Sequence, residues 1–70
     1  MDKKYLKKLA AHIKRLRLEK GLTQEALESD RISRSMVSHI EAARNDVTVT
    51  KLKAIADTLD VKVKDLFDFE

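Results

Sequence analysis

The sequence predicts an all-α fold, and three observations point there. A single glycine and no proline among 70 residues leave few sites for the tight turns that join β-strands. Leu, Ala, Lys, Glu and Arg dominate the chain, and all five are good helix formers. Leu6, Leu9, Ile13 and Leu16 recur at steps of three and four residues, the stripe with which a helix faces a core.

That stripe places a first helix at about residues 2–20. Asp2 is its candidate N-cap, and Gly21 stands where a left-handed residue stops a helix. A local signal then repeats. An apolar residue precedes a Ser or Thr cap, and a second apolar residue follows five positions after the first, the spacing of a hydrophobic staple. Leu22-Thr23 with Leu27, Ile32-Ser33 with Val37, and Val47-Thr48 with Leu52 fit it; Val61-Lys62 with Leu66 keeps the spacing with lysine in place of the hydroxyl. Four more helices are therefore predicted at about 24–30, 34–43, 49–58 and 62–68, making five. The second and third are only about three residues apart, too tight for antiparallel packing, so a steeply crossed helix-turn-helix is the natural geometry.

Length and composition limit the function. Seventy residues suffice for one small domain, 1–70, with little interior for the deep pocket many enzymes need. The absence of cysteine excludes disulfides, thiolate zinc sites and iron–sulfur clusters. The opening Met1-Asp2-Lys3-Lys4-Tyr5 lacks the apolar run of a signal peptide, and no stretch is apolar enough to span a bilayer, so a soluble cytoplasmic protein is expected. Ser35 and His39 lie four apart on one helix face, but no acid there orients the imidazole and no glycine-rich turn offers an oxyanion hole. His12 and His39, the only histidines, sit on different helices without ligand spacing. A non-enzymatic protein without metal or cofactor is expected, with His12 solvated or facing a ligand. Lys3, Lys4, Lys7 and Lys8 suit an acidic lipid surface, yet the apolar stripe beside them is needed for the core.

Charge is unevenly spread. Residues 1–20 hold eight Lys and Arg against Asp2 and Glu19, a local balance of +6, while residues 21–46 balance at −2 and 47–70 at −1. A basic end suits a polyanion, though a solvated lysine-rich face has the same composition. The predicted third helix is more informative. At 100° per residue Met36, Val37 and Ile40 gather on one side, and Ser35, Ser38, His39 and Ala42 on the other, with Arg34 flanking the first turn. The outer face is polar, small and nearly free of carboxylates, as a helix entering a DNA major groove requires; an ordinary amphipathic surface helix has the same faces. The N-terminus of this helix offers N–H groups and a positive dipole end to a phosphate.

The stretch from Ile13 through Arg17, Lys20-Gly21-Leu22-Thr23-Gln24-Glu25 and Leu27, followed by Ile32-Ser33-Arg34-Ser35-Met36-Val37-Ser38-His39-Ile40-Glu41, closely resembles the Cro/repressor-type (XRE family) helix-turn-helix. The likeness continues through Leu52, Ile55, Ala56, Leu59, Asp60, Val61 and Leu66-Phe67. The resemblance implies a five-helix, lambda-repressor-like DNA-binding domain whose second and third helices form the helix-turn-helix. It implies a transcriptional regulator of repressor or controller type that binds double-stranded DNA. Gln24 then looks like the glutamine that anchors a phosphate and steadies the third helix. Ser33, Arg34, Ser35, Ser38 and His39 fall at positions facing bases or flanking phosphates, and Arg44 and Asn45 match a backbone-gripping loop. Arg17 and Glu41 correspond to a structural ion pair tying the first helix to the third. Three departures accompany the likeness. The stretch from Leu27 to Ser33 is one residue short and lacks its glycine, Ala43 replaces a helix-ending glycine, and Arg44-Asn45 comes one place early.

Arg34 carries a planar fork suited to guanine O6 and N7, and the same fork suits a phosphate; the sequence leaves both roles open. Ser35 and Ser38 donate or accept, and His39 can donate to base or phosphate. Val63, Leu66, Phe67 and Phe69 crowd the C-terminus, either closing the monomer core or forming a homodimer interface. A homodimer is expected, because two recognition helices about 34 Å apart read a palindrome better than one. An alternative on the same fold is a protein-interaction module, such as an antitoxin-like component capping a partner protein.

Overall fold

A computed structural model describes residues 2–69; Met1 and Glu70, the ends of the expected 1–70 domain, lie outside the described residues. Among the described residues there are three α-helices, α1 (Lys3–Glu19), α2 (Arg34–Glu41) and α3 (Val49–Leu59), and two 3-10 helices, Gln24–Leu27 and Val63–Phe67. The helical segments fall where the sequence placed them, but two are single tightened turns rather than α-helices.

The predicted caps act as caps. Asp2 Oδ1 accepts from the Tyr5 amide at 3.0 Å, Thr23 Oγ1 from Ala26 at 3.3 Å, Ser33 Oγ from Met36 at 3.2 Å and Thr48 Oγ1 from Lys51 at 3.3 Å. Lys62 has no acceptor to offer, so its segment starts by the reverse contact: the Asp65 carboxylate accepts from the Lys62 amide at 2.9 Å.

The second segment ends at Leu27 rather than near residue 30. Glu28 is extended (φ −68°, ψ 140°), and Ser29 and Ile32 close a small reverse turn through Ser29 N–H to Ile32 C=O at 2.8 Å and the return bond at 3.3 Å. Ser29 Oγ accepts from the Arg31 amide at 3.1 Å, a local competitor that a Ser-Asp sequence offers against helix continuation. Positive φ occurs only at Gly21, Ala43 and Asp60 among the described residues, so this shortened turn runs entirely at negative φ and has no use for a glycine.

The predicted third helix, 34–43, is α2 and stops at Glu41. Its stop is a Schellman motif. Ala43 is left-handed at φ 57°, its N–H reaches Ile40 C=O at 3.1 Å, and Arg44 N–H reaches His39 C=O at 3.0 Å. Gly21 and Asp60 close α1 and α3 with the same pair of bonds.

The main core collects Leu9 and Ile13 of α1, Leu27, Ile32, Val37 and Ile40 of the helix-turn-helix, Leu52, Ile55 and Leu59 of α3, and Leu66. A smaller cluster joins Leu6 and Ala10 to Ala43. Leu66 is 0% exposed, which removes it from the expected dimer interface: its side chain is already enclosed by its own chain. Val63 and Phe69 also pack against this core, half-buried, and only Phe67, at 36%, stays exposed. His12 is not solvated; it is 6% exposed. Its Nε2–H donates to Asp65 C=O at 2.9 Å and its Nδ1 accepts from Arg15 at 2.8 Å, since a carbonyl only accepts and a guanidinium only donates. It thereby fastens the C-terminal 3-10 helix to α1. No helix among the described residues is long and apolar enough to cross a membrane.

Candidate nucleic-acid interface

The frame that aims α2 is built on one carboxylate. Arg17 donates through Nε to Glu41 Oε2 at 2.7 Å and through Nη2 to Oε1 at 2.9 Å, while its Nη1 donates to Leu22 C=O at 2.7 Å. The two side chains are 7% and 3% exposed. Gln24 Nε2 adds a third bond to Glu41, at 3.2 Å. The hydrogen bond from Arg17 to Glu41 raises the pKa of the guanidinium above its ordinary value, so Arg17 stays charged. The end of α1, the loop after it, the first 3-10 helix and the last turn of α2 therefore meet at Glu41.

Val37 and Ile40 turn into the core, Met36 is half-buried against it, and Ser35, Ser38 and Ala42 stand exposed on the other side with His39 half-buried. Gln24, Arg34, Ser35 and Ser38 line one shallow concavity of about 300 Å³. Gln24 and Arg34 border a second, of about 430 Å³, with Arg17, Leu18, Leu22, Thr23 and Glu25. Four of the expected residues are thus gathered on one surface. Ser33 is exposed at the helix start with its oxygen engaged as the cap. Arg44 and Asn45 are exposed beyond the far end of α2, without side-chain partners among the described residues, and they share neither concavity.

Two acidic residues were missed as parts of this surface. Arg34 Nη1 lies 3.2 Å from Glu25 Oε1, with the two side chains 62% and 67% exposed. Glu28 Oε2 accepts the Arg34 amide at 3.2 Å. With Ser33 capping Met36, two of the first three amides of α2 already have partners, so its N-terminus is largely occupied rather than open to a phosphate. The signal present in the sequence was the acidic balance of residues 21–46, beside a predicted basic reader.

No curated protein and no solved structure is similar enough to the chain to match it. A helix-turn-helix family model matches residues 13–66, from the middle of α1 to the second 3-10 helix. That match covers well over half of the sequence and brackets the frame around Glu41 and the uncovered face of α2: the chain belongs to the helix-turn-helix family of DNA-binding proteins, of Cro/repressor (XRE) type.

Proposed function

We propose that the protein is a sequence-specific regulator that binds a palindromic operator as a homodimer, laying α2 in the major groove and repressing or otherwise controlling transcription in the cytoplasm. The observation that carries this reading is the outer face of α2. Ser35, Ser38 and Ala42 are exposed, short and without carboxylates, so base edges meet no bulky or acidic side chain there.

In this reading selectivity comes from Arg34, Ser35, Ser38 and His39. Position comes from phosphate contacts by Gln24, Ser33, Arg44 and Asn45, which fix register without reading sequence. Gln24 gives one amide hydrogen to Glu41 and keeps the other, with its carbonyl oxygen, for the ligand. The dimer contact comes from the exposed ring of Phe67 and its neighbours Tyr5, Phe69 and Val63. The Tyr5 and Phe67 rings lie stacked at 6.5 Å, and Tyr5 is 41% exposed.

Selection from random duplexes at two salt concentrations tests the reading. A two-fold-symmetric consensus is expected, with affinity that falls steeply as salt rises. Recovery of no enriched sequence at either salt concentration contradicts it.

A further inference from the structure

The pairing of Arg34 with Glu25 bears on which of its two possible targets Arg34 takes. A cation on the first turn of α2, more than half exposed, is free to bind any phosphate it meets. Two carboxylates alter that. Glu25 sits 3.2 Å from Nη1, one end of the guanidinium, and Glu28 holds the backbone N–H of the same residue. A phosphate approaching this turn meets two negative oxygens and an amide already in use. The Nε–Nη2 edge of the guanidinium has no partner among the described residues, and that edge carries two parallel N–H donors. Guanine O6 and N7 are neutral acceptors that match it and are not repelled by the acids behind.

We propose that Glu25 is the specificity-determining residue of this surface: by neutralising one end of Arg34 it turns a phosphate clamp into a base reader. The proposal rests on the DNA-binding reading above. Electrostatic attraction supplies nearly all non-specific binding, so an acid that cancels one cation there lowers affinity for every wrong duplex more than for the right one.

The test compares the full chain with Glu25→Gln, which removes the charge and keeps a side-chain oxygen to accept from Arg34. Affinity is measured for the selected duplex and for a scrambled duplex of equal length across a salt series. Glu25→Gln is expected to bind the scrambled duplex about tenfold more tightly, with little change on the selected one, and to steepen the salt slope by about 0.9, one extra phosphate contact. Repeating both measurements in an Arg34→Ala background separates local from general effects. The gain is expected to vanish there; an equal gain without Arg34 means that Glu25 acts only through the overall field, and overturns the proposal. Unchanged selectivity in Glu25→Gln also overturns it. Failure of the parent protein to prefer any duplex sinks the sequence-specific reading on which the proposal rests, a result visible before any variant is made.

Discussion

The Glu41 carboxylate takes two hydrogen bonds from Arg17, at 2.7 and 2.9 Å, across 24 positions of sequence, with both side chains less than a tenth exposed. A buried pair of this kind is weak evidence of net stabilisation, but removing one partner strands the other charge. Glu41→Ala is expected to lose about 3–5 kcal/mol. A chain of this size is stable by only about 4–10 kcal/mol, so the variant should be largely unfolded well below the parent's midpoint. Urea titration followed by circular dichroism checks this. A loss under 1 kcal/mol would mean that the pair is solvated in solution.

Helix ends give a second, smaller prediction. Asp60 is left-handed at φ 57° and exposed, a conformation that strains an L-residue by about 1–2 kcal/mol. Glycine relieves the strain while adding freedom to the unfolded chain, so Asp60→Gly is expected to stabilise by about 0.5–1 kcal/mol, raising Tm by a few degrees. Ala43 has the same φ, but its methyl packs with Leu6 and Ala10. Ala43→Gly therefore trades strain for lost packing and should be close to neutral. Thermal melts of both variants decide the order.

Acid sensitivity follows from Asp57. Hydrogen bonds from Lys53 and then Arg31 hold its carboxyl below the ordinary aspartate value. The ionised form is favoured in the folded state, so its contribution is complete above the unfolded pKa of about 3.9 and is lost as pH falls through the lower folded value. The stability difference between the parent and Asp57→Asn should be level from neutral pH down to about 4 and shrink below it. A difference that grows on acidification would contradict the assignment. Asp57 is exposed to solvent, so the effect should also fade in high salt.

Packing and association separate at neighbouring residues. Leu66→Ala opens a cavity in the monomer core and should cost about 2–5 kcal/mol. Phe67→Ser, one position later, should cost less than Leu66→Ala, because the Phe67 ring already keeps about a third of its surface in water, and should weaken self-association. Sedimentation equilibrium over a concentration series reads the second effect directly; undiminished association would move the dimer contact elsewhere.

Much of this architecture is legible in the sequence because its signals are local. The caps at Asp2, Thr23, Ser33 and Thr48, and the apolar partners five residues along, depend only on neighbours. What escapes is whatever depends on distant packing. Leu66 and Phe67 are equally apolar, and only the position of α1 and α3 decides which is enclosed. His12 reads as a polar surface residue until Asp65, 53 positions away, supplies a carbonyl. Glu25 and Glu28 show in the sequence only as an acidic balance; which cation they meet is decided by the tight Ser29–Ile32 turn that brings them to Arg34. The missing glycine in that turn was visible; its consequence, a turn made without positive φ, was not.

The most direct test of the central claim, that the outer face of α2 reads base sequence, is a repeat of the duplex selection with Arg34→Ala beside Gln24→Ala. Arg34→Ala is expected to erase preference at one position in each half-site and keep the rest. Gln24→Ala should lower affinity for all duplexes and leave the consensus intact. An identical consensus and identical affinity for both variants and the parent would contradict it.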